Sequence, residues 1–391
     1  MKYPAFTALF AALFLVGPAF AADAPAPAAT SAAATAASAP ATGPTSDPAI
    51  PTPLTSGQVI TLFPEGVPGW KDIGPETGTN GLYVNISNPR MIVGLPPAGV
   101  PQNGTALIFC AGGGYVHVAL GNGFNSWLNP LGVTTFNLIY RCKEFGAPAP
   151  QQDVTRAVRL IRAHAKEFGI DPNKIGVMGD SAGGHVAASA DTLYDDPVCK
   201  TGNTLDSVSA RPDFAVLAFA VLTMEPPYAH GDSKNNLIGP NPSQEMIDHY
   251  SLEKHVTHDT PPTFIIHTQG DTTVKEENDL MFYAALRKNN VPSELHLYAY
   301  GPHGSGVGAA YGDGTLWQKL CEEWMRYNNW LPQSPNQLMP QGLTITSRGA
   351  RGFGARGGRG RGGPPGAPGA AAPAASGNAA PAAAAPAATG N

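Results

Sequence analysis

The segment from Gly179 to Gly183, which reads Gly-Asp-Ser-Ala-Gly, carries the clearest potential for chemistry in this sequence of 391 residues. The residues before it are apolar and those after it are small, so the pattern predicts a strand, a sharp turn and a helix. Such a turn exposes the Ser181 hydroxyl and places a helix N-terminus behind it, where developing negative charge is stabilised. Because a serine hydroxyl is a weak nucleophile without a base, the chemistry requires partners elsewhere in the chain.

Asp271 and His303 are the predicted partners of this serine. Asp271 ends the apolar segment 263–271, and His303 follows the next predicted strand, 293–300. Both therefore lie at the carboxyl ends of strands, where chemistry concentrates in an open α/β sheet. We expect His303 to take the proton of Ser181 and return it to a leaving alcohol. Asp271 would fix the imidazole tautomer and stabilise the imidazolium.

Other histidines and carboxylates compete for these roles. His267 and His296 lie inside predicted strands, which favours a packing role. His255 and His258 lie in a loop and are expected to be solvated. His185 follows the serine by one helical turn, and it either lines the pocket floor or packs within the helix. Acids that open the next helix suit its N-terminal dipole, and one of them could be the orienting carboxylate instead: Glu276, Glu277 or Asp279.

The glycine-rich segment 111–115 directly follows another predicted strand. Glycines let a backbone present its N–H groups without obstruction, which a tetrahedral intermediate requires for its oxyanion. We expect the N–H groups of Gly113 and Gly114, with that of Ala182 after the nucleophile, to form this oxyanion hole. A phosphate-binding loop is disfavoured, because neither of the usual glycine-rich phosphate motifs is complete.

These residues can meet only if strands and helices alternate between residues 57 and 333. Apolar strands interleaved with amphipathic helices predict an α/β domain with a mostly parallel central sheet and helices on both faces. The predicted strands include 105–114, 134–142, 214–222, 263–271 and 293–300, and the predicted helices include 151–168, 275–289 and 314–329.

The first 56 residues carry a different pattern. Residues 1–22 combine Lys2, an apolar run and an Ala-Phe-Ala box, which predicts a secretory signal peptide and a periplasmic or secreted protein. A membrane anchor is disfavoured, because the apolar run falls short of the roughly 20 residues that span a bilayer. Residues 23–56 are rich in Ala and Pro and predict a disordered linker.

Residues 334–391 form a second low-complexity segment, rich in Arg and Gly and then in Ala and Pro. Such a tail could bind RNA by charge and stacking. In an exported chain a solvated tail, or one attracted to anionic envelope, is favoured, so no nucleic-acid partner is predicted. No Cys/His metal spacing occurs, and neither a metal nor another cofactor is predicted. The oligomeric state stays open.

The sequence contains four cysteines: Cys110, Cys142, Cys199 and Cys321. An even count in an oxidising compartment permits disulfides, and the first two, which lie at predicted strand ends, are the first pair to test. Four buried free thiols are the alternative, and the sequence does not choose between them.

Several stretches resemble the α/β-hydrolase esterases, in the group similar to acetyl xylan esterases and related bacterial lipase/esterase proteins. The stretches lie at 109–119, 136–142, 153–190, 250–274 and 285–306, and the resemblance covers roughly residues 57–333. It implies an α/β-hydrolase fold, the triad Ser181, Asp271 and His303, and an oxyanion hole at Gly113 and Gly114. Ala111 replaces the histidine that precedes the glycines in hormone-sensitive-lipase-like esterases, which favours the sugar-esterase-like group.

The segment 224–260 separates two strands by more than an ordinary loop and is polar and aromatic, which predicts part of a pocket rim. Tyr115, His117 and Tyr228 are the predicted substrate contacts. The expected function is a secreted serine carboxylesterase that removes short acyl groups, acetyl groups above all, from carbohydrate such as acetylated xylan. A general short-chain lipase or carboxylesterase is one alternative, and a non-catalytic carbohydrate- or envelope-binding protein is another.

Overall fold

The computed structural model describes residues 50–121, 123–304 and 316–334, without the side chains of 123–125. The predicted signal peptide at 1–22, most of the predicted linker at 23–56 and nearly all of the predicted tail at 334–391 lie outside the described residues. Leu54 is buried in the core, so packed structure begins before the predicted boundary at residue 57. Within the described residues, no helix combines the length and apolarity needed to cross a membrane.

Short strands alternate with helices along the described chain. The strands are β1 (Val59–Thr61), β2 (Thr77–Thr79), β3 (Leu82–Val84), β4 (Arg90–Gly94), β5 (Ala106–Cys110), β6 (Val118–Ala119), β7 (Thr134–Ile139), β8 (Ile175–Asp180), β9 (Phe214–Ala218), β10 (Thr263–Thr268) and β11 (Ser293–Tyr298). The α-helices are α1 (Gly123–Leu128), α2 (Ala149–Ala163), α3 (Ser181–Thr192), α4 (Gly231–Ile238), α5 (Gln244–His249), α6 (Glu277–Lys288) and α7 (Leu316–Tyr327).

In the part of the chain that the structure describes, eight strands form the main sheet in the order β1-β4-β7-β5-β8-β9-β10-β11. Each neighbouring pair in the series β7-β5-β8-β9-β10-β11 is parallel. At the other side of the sheet, β4 pairs antiparallel with β7, and β1 pairs antiparallel with β4. Helices cover both faces: Phe264 of β10 packs on Trp324 of α7, while its neighbour Thr263 donates a hydrogen bond to Asp191 of α3. The predicted mostly parallel sheet is confirmed.

The parallel strands end at a common edge, which gathers the loops that follow β5, β8, β10 and β11. A second sheet, with the three strands β2-β3-β6, was not predicted from the sequence. Its strand β6 immediately follows the glycine-rich loop, and Val118 and Ala119 pair with Tyr83 and Leu82 of β3. The small sheet thereby anchors the far end of the glycine-rich loop.

All four cysteines lie in the described part of the chain and are buried free thiols. The structure therefore holds no Cys110–Cys142 disulfide, and the alternative of four buried thiols is the one realised. Burial raises the pKa of the Cys110 thiol well above its usual range, so this group stays a neutral, apolar packing element of β5.

Candidate active site

The predicted strand–turn–helix around the serine is present. Ser181 has φ +53°, a left-handed conformation that is rare for a residue with a side chain and that holds its hydroxyl at the sheet edge. The turn is possible because its glycines let α3 approach both β8 and the neighbouring strand β5 closely. A Cβ at Gly179 would overlap the carbonyl oxygen of Gly183, and one at Gly183 would overlap the carbonyl oxygen of Cys110.

The structure brings the three predicted catalytic side chains together. Nδ1–H of His303 donates to Oδ2 of Asp271 across 2.6 Å, which leaves Nε2 to accept the Ser181 hydroxyl at 2.9 Å. The ring of Phe219 packs edge-on against His303, with 5.0 Å between centroids. This arrangement can transfer a proton from the serine to the imidazole while the carboxylate holds the ring in place.

Asp271 is built to remain ionised. Its Oδ1 accepts the backbone N–H groups of Thr273 and Val274 at 2.8 and 2.9 Å. Burial would raise the pKa of Asp271, but hydrogen bonds from His267, from His303 and from this backbone outweigh burial and hold the pKa well below its usual range. Asp279, one of the alternative orienting acids, lies against His267 instead.

The glycine-rich loop is fixed in ways that leave N–H groups available. Asp180 Oδ1 accepts the N–H of Gly112 at 3.1 Å, and the Gly114 carbonyl accepts a hydrogen bond from Asn236 of α4 at 2.8 Å. The N–H groups of Gly113 and Gly114 donate to no acceptor among the described residues. Ala182 occupies the first turn of α3, directly after the serine. An oxyanion hole at these three residues stays a prediction.

Asp180 and His230 are two residues near the site that sequence reasoning missed. Burial raises the pKa of Asp180 to about 6, and the carboxylate lies close enough to His303 to interact with it electrostatically. His230 precedes α4, and its Nδ1 is 2.8 Å from the Ser233 hydroxyl. Burial lowers the pKa of His230, and the nearby Asp232 and Asp271 only partly offset that effect. The position of Asp180 within the Gly-Asp-Ser motif could have indicated its role, whereas no pattern in the sequence indicates His230.

The prediction that Tyr115 contacts substrate is wrong. Its side chain is fully buried, and its hydroxyl donates to Nδ1 of His185 at 2.7 Å. Nε2–H of His185 in turn donates to the carbonyl oxygen of Tyr250 at 2.9 Å. A backbone φ of +61° at Tyr115 turns the side chain inward beneath the glycine-rich loop. His185 is thus a packed helix residue, which was one of its two predicted roles.

His117 and Tyr228 are both partly exposed. The ring of His117 lies against Gly113, and the Tyr228 ring lies 5.7 Å from the Lys275 ammonium. Their assignment as substrate contacts stays a prediction. Within the described residues, no group of His, Cys, Asp and Glu side chains is arranged to hold a metal ion.

This chain is similar to known proteins that include a xylanase and esterases. A model of the BD-FAE family matches residues 96–286. Endo-1,4-beta-xylanase B of Butyrivibrio fibrisolvens is 40% identical over 158 residues, which are 40% of this chain and 25% of that protein. The acetylxylan esterase of Xylanibacter ruminicola is 30% identical over 246 residues, which are 60% of this chain and 47% of that protein. The chain thus spans a quarter to about half the length of these relatives.

Solved structures extend the similarity. An acetyl ester-xyloside bifunctional hydrolase from Caldicellulosiruptor lactoaceticus is 34% identical, with a TM-score of 0.64 over 72% of this chain and 100% of that chain. Esterase Est2 from Thermogutta terrifontis is 23% identical, with a TM-score of 0.51 over 64% of this chain and 92% of that chain. At that identity the second likeness concerns the fold alone.

Proposed function

This chain belongs to the α/β-hydrolase esterases that resemble acetyl xylan esterases, and from that premise we propose that it hydrolyses short acyl esters of carbohydrate, acetyl esters above all, through an acyl-enzyme on Ser181. The observation that carries the proposal is the hydrogen-bonded series from Asp271 through His303 to the serine hydroxyl. Such a series converts a poor nucleophile into an effective one.

In the first half of the proposed reaction, Oγ of Ser181 attacks the ester carbonyl carbon and His303 takes the hydroxyl proton. The resulting oxyanion accepts hydrogen bonds from backbone N–H groups of the glycine-rich loop and of Ala182. When the tetrahedral intermediate collapses, the bond to the sugar oxygen breaks and His303 gives that oxygen its proton. The deacylated carbohydrate leaves, and the acyl group stays on the serine.

In the second half, His303 takes a proton from a water molecule that attacks the acyl carbon, and it then returns the proton to Oγ as the free acid departs. Asp271 stays ionised throughout, because its hydrogen bonds keep its pKa low. It stabilises the imidazolium that forms twice in each cycle.

The names of the relatives support a carbohydrate ester as substrate. The relatives include an acetylxylan esterase, a xylanase and an acetyl ester-xyloside bifunctional hydrolase. The segment 224–260 also supports a carbohydrate substrate, because its helices α4 and α5 are rich in polar residues. Asn236 of α4 donates a hydrogen bond to the glycine-rich loop, and Tyr228 and His230, which precede α4, are partly exposed. The predicted signal peptide at residues 1–22 supports placing this activity in the periplasm or outside the cell.

The Ser181→Ala variant tests the proposal, with Ser207→Ala as a matched control at an exposed serine. We expect hydrolysis of p-nitrophenyl acetate and of acetylated xylan to fall at least about 10⁴-fold in the first variant only. A fluorophosphonate probe should label the wild type and the control but not Ser181→Ala. Undiminished hydrolysis in Ser181→Ala would overturn the assignment. An unlabelled wild type without activity would favour a binding protein.

Acyl-chain length tests the substrate class. We expect kcat/KM to fall from acetyl to longer p-nitrophenyl esters and acetate release from acetylated xylan oligosaccharides to be faster than from simple alkyl acetates. Equal rates on both acetate classes would favour a general short-chain carboxylesterase.

A further inference from the structure

A second histidine, His267, lies against Asp271 and takes no part in the proposed proton transfer. Its Nδ1 is 2.5 Å from Oδ2 of Asp279, and its Nε2 is 3.0 Å from the carbonyl oxygen of Val274. The same Nε2 lies 3.4 Å from Oδ2 of Asp271, the oxygen that accepts from His303. The side chains of His267, Asp271 and Asp279 are essentially inaccessible to solvent.

These contacts define the protonation of His267. A carbonyl oxygen only accepts hydrogen bonds, so Nε2 must carry a proton. A neutral ring would leave two buried carboxylates without a compensating charge, which is costly. Burial would lower the pKa of His267, but Asp279 and the hydrogen bond to Asp271 outweigh burial and raise it to about 10. We therefore expect His267 to be an imidazolium between the carboxylates of Asp271 and Asp279.

We propose that His267 is a positioning residue for the hydrolysis, whose imidazolium, held by Asp279, keeps the Asp271 carboxylate ionised and aimed at His303. The proposal rests on the proposed function of Ser181, Asp271 and His303. It accounts for the charge balance of the site: the pair formed by His267 and Asp279 is neutral overall, and its positive end faces Asp271.

The charged groups around His267 come from few elements. Asp279 reaches it from α6, and Asp271 reaches it from the loop after β10. On the neighbouring strand β11 its register partner is the apolar Leu297. The α3 helix presents Asp191 at Thr263, the opposite end of β10. Removal of the imidazolium therefore takes away the positive charge nearest to Asp271, apart from that of a protonated His303.

The test compares His267→Gln with the double variant His267→Gln/Asp279→Asn, and uses His296→Gln on β11 as the matched control. The single variant leaves the Asp279 carboxylate buried without its partner, so we expect losses of both thermal stability and kcat. The double variant removes that buried charge, so its Tm should recover. Because Asp271 still lacks the imidazolium, kcat for p-nitrophenyl acetate should stay about tenfold low.

The pH profile separates positioning from a purely structural role. Loss of the positive charge near Asp271 favours the protonated form of His303, so the acidic limb of kcat/KM should move upward by about half a pH unit in the double variant. His296→Gln should keep the wild-type profile. A double variant with wild-type kcat and an unmoved limb would overturn the proposal.

A measurement without catalysis keeps this test independent of the proposed function. In the ¹⁵N-labelled wild-type chain, NMR of the His267 ring should show both nitrogens protonated at neutral pH, even if the protein hydrolyses no ester. A neutral His267 ring would overturn the proposal whatever the variants do. A wild type inactive on all esters would instead overturn the proposed function.

Discussion

Asp180 and Gly112 join the two loops that build the candidate site. Oδ1 of Asp180, the residue before the serine, accepts the N–H of Gly112, the first glycine of the glycine-rich loop, at 3.1 Å. One side chain thereby links the turn that carries Ser181 to the loop proposed to bind the oxyanion. We expect the position of the proposed oxyanion donors relative to Ser181 to depend on this hydrogen bond.

Replacement of Asp180 should reveal that dependence. Asp180→Ala loses the acceptor for Gly112, and we expect kcat on p-nitrophenyl acetate to fall about 10- to 100-fold with little change in KM. Asp180→Asn keeps an oxygen acceptor at the same place and should retain most of the activity. Steady-state kinetics of both variants checks this, and equal losses in the two would point to the charge rather than to the hydrogen bond.

Gly113 and Gly114 should respond differently to alanine. A Cβ at Gly113 would overlap the backbone of His117, and its φ of +142° is strained for other residues. At Gly114 a Cβ meets open space, although its φ of +61° still costs about 1 kcal/mol. We expect Gly113→Ala to abolish most activity and Gly114→Ala to keep a substantial fraction. Thermal melts of both proteins show whether the loss at Gly113 is local or global.

The geometry of the proposed triad was predictable because each of its three residues lies within a few residues of the carboxyl end of a strand: β8 ends at Asp180, β10 at Thr268 and β11 at Tyr298. Ser181, Asp271 and His303 are far apart in sequence, but parallel strands end at one edge, and the apolar runs of those strands are clear in the sequence. The prediction required no knowledge of side-chain packing.

Side-chain directions and buried charges were not predictable in the same way. Tyr115 turns inward because of a positive φ that no local pattern indicates. On α2, Arg156 and Arg159 are buried, because their guanidinium groups reach Glu65 and Asp206, partners far along the chain. Strands β2 and β6 span only three and two residues and carry no periodicity. The His267–Asp279 pair likewise depends on tertiary contacts.

Tyr115→Phe should affect stability rather than catalysis. The hydroxyl is buried and bound to His185, so its removal leaves a buried Nδ1 without its donor, which costs about 1 to 3 kcal/mol of unfolding free energy. We expect kcat/KM for p-nitrophenyl acetate to stay near the wild-type value. Urea denaturation measures the first effect and ester hydrolysis the second. A rise in KM without loss of stability would restore Tyr115 as a substrate contact.

His185 should make stability depend on pH in a defined window. Burial lowers its pKa from 6.5 to about 4, so between these values the unfolded chain binds more protons than the folded one. The neutral His185 ring therefore makes its full contribution to the free energy of unfolding above about pH 6.5. As the pH falls toward 4, the free energy of unfolding decreases by about 3 kcal/mol on account of this residue.

The His185→Gln variant isolates this contribution, because glutamine does not titrate. The difference in unfolding free energy between wild type and variant, measured by urea denaturation, should favour the wild type most at neutral pH and shrink as the pH falls from 6.5 to 4. Below that range the difference should level off. A difference that stays constant with pH would mean that His185 has an ordinary pKa in the folded protein, and the buried network of Tyr115, His185 and Tyr250 would need another protonation state.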